Sequence, residues 1–310
     1  MFGFSTGWNI RRHEQAADAI DEIRNLGFEK IELAGLTESQ AREVVALQKR
    51  HAAPEIVSIH TFCPLPPLDR QASFGDLLDL ASLDTTERRQ AVKYAKRTID
   101  FAAELGAHTV ITHLGSVDVE YTPMTLLLWI STDGPDSDEY RGKLDGLLRE
   151  RARTADSHLG AAMESLSELE AHARACEVMV GVENRFMYYQ IPNMEELREI
   201  LSRFDEDSAV GYWHDIGHAY MNKILRVEDQ TIVPDDIKRR MIGVHIHDVM
   251  TDANVHPAKV DHRAPSTGVI DFVREREMVS DGALKVMELR REVSAEDVRK
   301  GLNHLREIGF

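Results

Sequence analysis

The chain has 310 residues, 37 of them basic and 53 acidic, for a net charge of −16 with neutral histidine. Hydrophobic residues make up 43% and charged residues 29%, the balance of a globular protein rather than a disordered or fibrous one. An acidic surface repels polyanions, and the short basic clusters Lys238-Arg239-Arg240 and Arg290-Arg291 sit beside acids, so nucleic acid is not expected as a partner. No apolar run approaches the roughly 18 residues of a membrane span. The N-terminal residues carry no basic region followed by an apolar core, so no secretory signal is expected. Cys63 and Cys176 cannot build a disulfide framework, and the expected location is cytoplasmic.

Short β-like runs alternate with helical stretches along the whole chain, the pattern of parallel βαβ units. Phe2–Ser5 reads as the first strand, Glu14–Asn25 as a helix, and Phe28–Leu33 as the second strand. A helix over Thr37–Arg50 has Thr37 as N-cap. Glu55–His60 is the third strand, followed by a loop with Pro64, Pro66 and Pro67, and then a helix over Thr86–Leu105. His108–His113 is the fourth. Residues 115–140 break the rhythm with Pro123, Gly134, Pro135 and the apolar Leu126–Ile130, and read as an insertion after strand four. Trp129 and Leu126–Leu128 there would either cover a pocket or form a subunit contact in a homo-oligomer. Helical sequence continues to about Ala175. Glu177–Glu183, Ala209–Asp215, Ile242–His247 and Leu284–Glu288 complete the strands, with helices over Met194–Arg203 and Ala295–Glu307. Eight strands in this alternation predict a single-domain (β/α)₈ TIM barrel over residues 1–310.

The polar chemistry collects at strand ends. His60 ends the third strand, His113 the fourth, Glu183 the fifth and Asp215 the sixth; His245 and His247 end the seventh and Glu288 the eighth. In a barrel these ends converge on the face where active sites sit. The run Val178–Glu183 is apolar until its last residue, and a carboxylate in that setting needs a partner or a metal. Glu183, Asp215, His245 and Glu288 form a mixed oxygen and nitrogen set, suited to Zn²⁺, Mn²⁺, Co²⁺ or Mg²⁺ and not to a thiolate metal. After Asp215 the chain is expected to turn at Gly217, bringing His218 back over the mouth. His262 lies in a loop beyond the seventh strand. By strand alternation His214 should point outward. Of the mouth cations, Arg70, Arg185 and Arg263 are the few in view. Tyr188 and Tyr189 would stack on a sugar face or pack a lid.

The ordered segments Gly181-Val182-Glu183-Asn184-Arg185, Trp213-His214-Asp215-Ile216-Gly217-His218, Val244-His245-Ile246-His247-Asp248, Asp261-His262 with Gly268-Val269-Ile270-Asp271-Phe272, and Met287-Glu288 resemble the xylose-isomerase-like barrel superfamily. That superfamily includes sugar isomerases, ketose 3-epimerases, inosose dehydratase and endonuclease IV, and the resemblance spans essentially the whole chain. In its epimerase branch it implies one divalent metal on Glu183, Asp215, His245 and Glu288, with both glutamates moving protons. His60, His113, Arg185, His218, His247 and Arg263 would lie near the substrate. In its endonuclease branch His60, His113, His218 and His262 would hold additional zinc ions. Val260 stands where that branch expects an aspartate, two residues before His262.

The expected activity is therefore isomerisation or epimerisation of a small sugar or hydroxy-carbonyl compound by proton transfer through an enediolate that the metal stabilises. Glu183, Glu288 and His218 are its catalytic candidates. Multi-zinc phosphodiester hydrolysis, or dehydration of a cyclitol-like ketone, is the alternative.

Overall fold

The computed structural model describes residues 1–50, 54–68, 74–120, 123–251 and 260–310. His51, Arg70 and His256 lie outside them. Eight parallel strands close into a barrel in sequence order: β1 (Gly3–Ser5), β2 (Lys30–Leu33), β3 (Glu55–His60), β4 (Thr109–Thr112), β5 (Met179–Glu183), β6 (Val210–Asp215), β7 (Met241–Ile246) and β8 (Leu284–Met287). Around it run α1 (Ala16–Asn25), α2 (Glu38–Lys49), α3 (Thr85–Leu105), α4 (Pro123–Asp133), α5 (Asp138–Ala152), α6 (Ala155–Ala175), α7 (Met194–Ser202), α8 (Ile216–Ile224), α9 (Asp235–Lys238), α10 (Phe272–Met278) and α11 (Ala295–Glu307). The helix starts follow the sequence: Thr37 and Asn193 form capping boxes with Gln40 and Glu196, and Asp84 and Ser294 cap α3 and α11.

Inside the barrel, Val57, Ile111, Trp213 and Val286 pack as a small buried cluster of their own, separate from the larger core between strands and helices. A bulge sets what lies above it. Ile31 pairs with Ile56 but Glu32 pairs with Ser58, leaving Val57 as an extra residue in β3. The bulge resets the alternation, so that Ser58 and His60 both turn inward after Val57. In β6, Trp213 and Asp215 face in. Tyr212 and His214 face the helices, where the Tyr212 hydroxyl meets His214 Nδ1 at 2.6 Å.

Between β4 and α6 the described residues of the 115–140 stretch carry a short strand, a helix and the start of another. Gly115–Ser116 pairs antiparallel with Gln190–Ile191, and α4 and α5 follow. Leu126 and Leu127 are buried and Leu128 is exposed. The buried Arg151 of α5 forms a two-pronged pair with Glu196 of α7 at 2.7 and 2.8 Å and donates to the Gln190 carbonyl, tying this segment to the wall after β5. Among the described residues no helix is long and apolar enough to cross a membrane.

Candidate active site

Glu183, Asp215, His245 and Glu288 come together at the C-terminal end of the barrel, with one ligand atom of each within 4.8 Å of the others. His245 Nδ1 lies 3.0 Å from Glu183 Oε1, 3.3 Å from Glu288 Oε2 and 3.8 Å from Asp215 Oδ2. Glu183 and Asp215 are wholly shielded from solvent and Glu288 nearly so. Three carboxylates around one imidazole nitrogen in a dry site need a cation. Burial opposes their charge, but His113, His245 and His60 hold Glu183 well below the usual carboxylate range, and His218 and His247 hold Asp215 at about 2. Burial likewise disfavours the His245 cation, yet Glu288 and Glu32 raise its proton affinity strongly. The donor set and its excess negative charge fit a divalent metal.

Local sequence explains the precision. Asn184, next to Glu183, donates to the Asp215 carbonyl and accepts from the Asp215 N–H, locking β5 to β6 at the rim. Asp215 is the N-cap of α8: its Oδ1 accepts from the His218 N–H at 2.6 Å. The chain therefore does not turn at Gly217, as the sequence led us to expect. Gly217 belongs to the first turn of α8, and glycine is needed there because a Cβ would stand 1.9 Å from the His247 ring.

Two further groups flank the central one: His60, His113 and Glu183 on one side, and Asp215, His218, His247 and His262 on the other. The hydrogen-bond network assigns the ring protons. His60 Nδ1 sits 2.7 Å from the Thr61 carbonyl and His218 Nδ1 3.0 Å from the Asn184 carbonyl, so each carries a proton there, while His60 Nε2 faces Glu183 Oε2 at 3.3 Å. Carboxylates hold the Nδ1 of His113, through Asp76 at 2.7 Å, and of His262, through Asp261 at 3.1 Å, while Nε2 of the first faces Glu183 at 2.8 Å and Nε2 of the second faces Glu288 at 3.3 Å. His245 is turned the other way: Glu32 accepts from Nε2 with both oxygens at 3.2 Å, and Nδ1 faces the carboxylates. His247, like His245, carries its proton on Nε2, but its Nδ1 is already taken. The His262 N–H donates to its Nδ1 at 2.9 Å, so Nε2 carries the proton and donates to Asp215 at 2.9 Å. His247 is thus a donor that holds Asp215, and it stacks on His262 with ring centres 3.9 Å apart.

Above these groups lies a cavity of about 360 Å³, lined by His60, His113, Arg185, His218, His262 and Glu288 among others. His247 and Arg263 do not line it. The Arg263 main chain bridges Asp248, and the cavity's second arginine is Arg290, bound to Asp261 at 3.0 Å. Tyr188 is buried and meets Tyr189 edge to face at 5.3 Å, beside the small two-stranded ladder. Burial keeps His218 neutral, with its pKa pushed down to about 3. It opposes the charge on His262 too, but Asp261 and Glu288 bring that ring to about 10.

Sequence reasoning missed Glu32, Asp76 and the pinning role of Asp261. Glu32 is fully buried and also accepts from the Ser58 hydroxyl at 2.8 Å. Its signal was parity: in Lys30-Ile31-Glu32-Leu33 the glutamate shares the inward face of β2.

No curated protein matches the chain. Solved structures that resemble it include a D-tagatose 3-epimerase-like protein, at 21% identity over 99% of this chain and 96% of that one, with a TM-score of 0.62. Escherichia coli 3-keto-D-glucoside 4-epimerase, YcjR, is 19% identical over 99% and 98%, at 0.66. The IOLI protein, solved with a zinc atom, is 12% identical over 99% and 97%, at 0.62. At these identities the likeness is one of fold. A family model described as xylose isomerase-like TIM barrel matches residues 20–308, and the chain belongs to that family.

Proposed function

We propose that this protein is a divalent-metal-dependent isomerase or epimerase of a small sugar or related hydroxy-carbonyl compound. The observation that carries this reading is the pair Glu183 and Glu288. Two carboxylates from separated strands face one imidazole nitrogen beneath a cavity of about 360 Å³. The sugar epimerases among the similar structures support it, and the zinc in one of them makes Zn²⁺ the first ion to try, with Mn²⁺ next.

Glu183, Asp215, His245 and Glu288 would hold the ion, which supplies Lewis-acid stabilisation of negative charge on the substrate's carbonyl oxygen. The protein's own groups then move the proton. One glutamate takes it from the carbon beside the carbonyl; it then either gives that proton to the neighbouring carbon, or the other glutamate, entering the cycle protonated, gives its own to the opposite face. His218, neutral and with Nδ1–H given to the Asn184 carbonyl, offers Nε2 as an acceptor for a substrate hydroxyl. The substrate is a small molecule, and a cytoplasmic location agrees with the two free cysteines.

The test is turnover of a panel of ketoses and aldoses by chain stripped with chelator and reloaded with Zn²⁺ or Mn²⁺, beside Glu183→Ala and Glu288→Ala. Reloading should restore turnover and either substitution should abolish it. A second reading is hydrolysis of a phosphodiester with two or three zinc ions. It is favoured by the two further groups of possible ligands beside the central one, His60 with His113 and Glu183, and Asp215 with His218, His247 and His262. Release of an aryl alcohol from an aryl phosphodiester, with sugars untouched, would establish it instead.

A further inference from the structure

The group formed by His60, His113 and Glu183 already contains a cation. Arg185 Nη1 lies 2.7 Å from His113 Nε2 and 3.5 Å from Glu183 Oε2, and these two atoms are themselves 2.8 Å apart. We propose that the Arg185 guanidinium takes the place of a metal in this outer pocket and so restricts the barrel mouth to the ion held by Glu183, Asp215, His245 and Glu288. This rests on the one-metal reading above and names the residue that enforces it.

An imidazole nitrogen has one lone pair. His113 uses Nδ1–H on Asp76, so Nε2 has a lone pair to give. It gives it to an arginine N–H, and the same lone pair cannot also bind zinc at a bond length of about 2.0–2.1 Å.

The arginine is built in. Its side chain is 9% exposed, and its carbonyl accepts from Asn222 Nδ2 at 2.7 Å. Asp76 Oδ2 faces Nη2 at 3.8 Å while Oδ1 holds His113, so one carboxylate orients both partners. Asp76 reaches them because Gly75 lies against both rings: a Cβ there would be 2.5 Å from His113 Cε1 and 3.0 Å from His60 Cε1. Burial disfavours the guanidinium charge, but Asp76 and Glu183 raise its hold on the proton. The charge balance of the pocket is thus met by side chains alone.

The experiment is zinc stoichiometry by plasma mass spectrometry on chain stripped with chelator, titrated with Zn²⁺ and desalted. Arg185→Gln should retain one Zn²⁺ per chain more than the native protein, and Arg185→Gln with His113→Ala should lose that gain. Arg185→Lys, which keeps a cation, should match the native count. In the otherwise native chain His113→Ala should leave the count unchanged. The proposal is overturned if Arg185→Gln binds no extra zinc, or if His113→Ala removes an ion from the native chain. The second comparison decides the matter even if Arg185→Gln fails to fold. A native chain that holds no zinc, with none lost in Asp215→Asn, would count against the proposed function. A native chain holding zinc on Asp215, with Arg185→Gln unchanged, would count against this inference alone.

Discussion

Replacing Glu32 with alanine tests how the metal-facing nitrogen of His245 is set. Glu32 accepts from His245 Nε2 with both oxygens at 3.2 Å and from Ser58 Oγ at 2.8 Å, all in a fully buried setting. Without it, Nε2–H and the Ser58 hydroxyl lose their acceptor and the ring is free to exchange its proton to Nδ1. That would place a proton where Glu183, Asp215 and Glu288 converge. Loss of a carboxylate that orients a ligating histidine costs about 10–100-fold in metal affinity, or about 1.4–2.7 kcal/mol of binding free energy. The assay is competition for Zn²⁺ between stripped protein and a chelator of known affinity. Glu32→Gln, which keeps one acceptor oxygen and the shape, should lose less than Glu32→Ala. A folded Glu32→Ala that binds Zn²⁺ as tightly as the native chain would refute the reasoning.

Gly217→Ala should lower stability by about 1–3 kcal/mol, as overpacking does, because its Cβ meets the His247 ring; a thermal melt identical to the native one would exclude this. Arg151→Met should cost about 3–5 kcal/mol in urea unfolding, since it leaves the Glu196 carboxylate buried without its partner. Burial raises Glu275 to about 7, against its bond from the Tyr220 hydroxyl, so the folded chain favours the protonated form. A carboxyl raised in this way contributes stability at low pH that is lost as pH climbs from 4.5 to about 7. Glu275→Gln does not ionise, so its stability relative to the native chain should rise across that window and then level off. A pH-independent difference in urea midpoints would count against this assignment.

The barrel was legible because alternation carries it: eight apolar runs, each followed by helical sequence, leave few alternatives once parallel pairing is assumed. Glu183 and Asp215 were legible for a related reason, as charged residues closing strands with no wet face of their own. Glu32 was not. On one strand, Lys30-Ile31-Glu32-Leu33 reads as ordinary alternation, and only closure makes the polar face the interior. The inward turn of Ser58 and His60 depends on a bulge at Val57, which no local pattern announces. Asp76 lies in a short 3₁₀ turn (Phe74–Asp76) without periodicity, and its role appears only when Gly75 brings it onto His113. The Gly217 turn was misread for want of context. Glycine suggests a turn locally, but here it is demanded by a ring from the neighbouring strand.

The most direct measurement of the central claim is deuterium wash-in. Zn²⁺- or Mn²⁺-loaded chain would be incubated in D₂O with a panel of ketoses and followed by proton NMR. The account predicts loss of the proton signal on the carbon beside the carbonyl of at least one sugar, absent in Glu183→Ala and Glu288→Ala. Unexchanged sugars throughout, beside metal-dependent cleavage of an aryl phosphodiester, would contradict it.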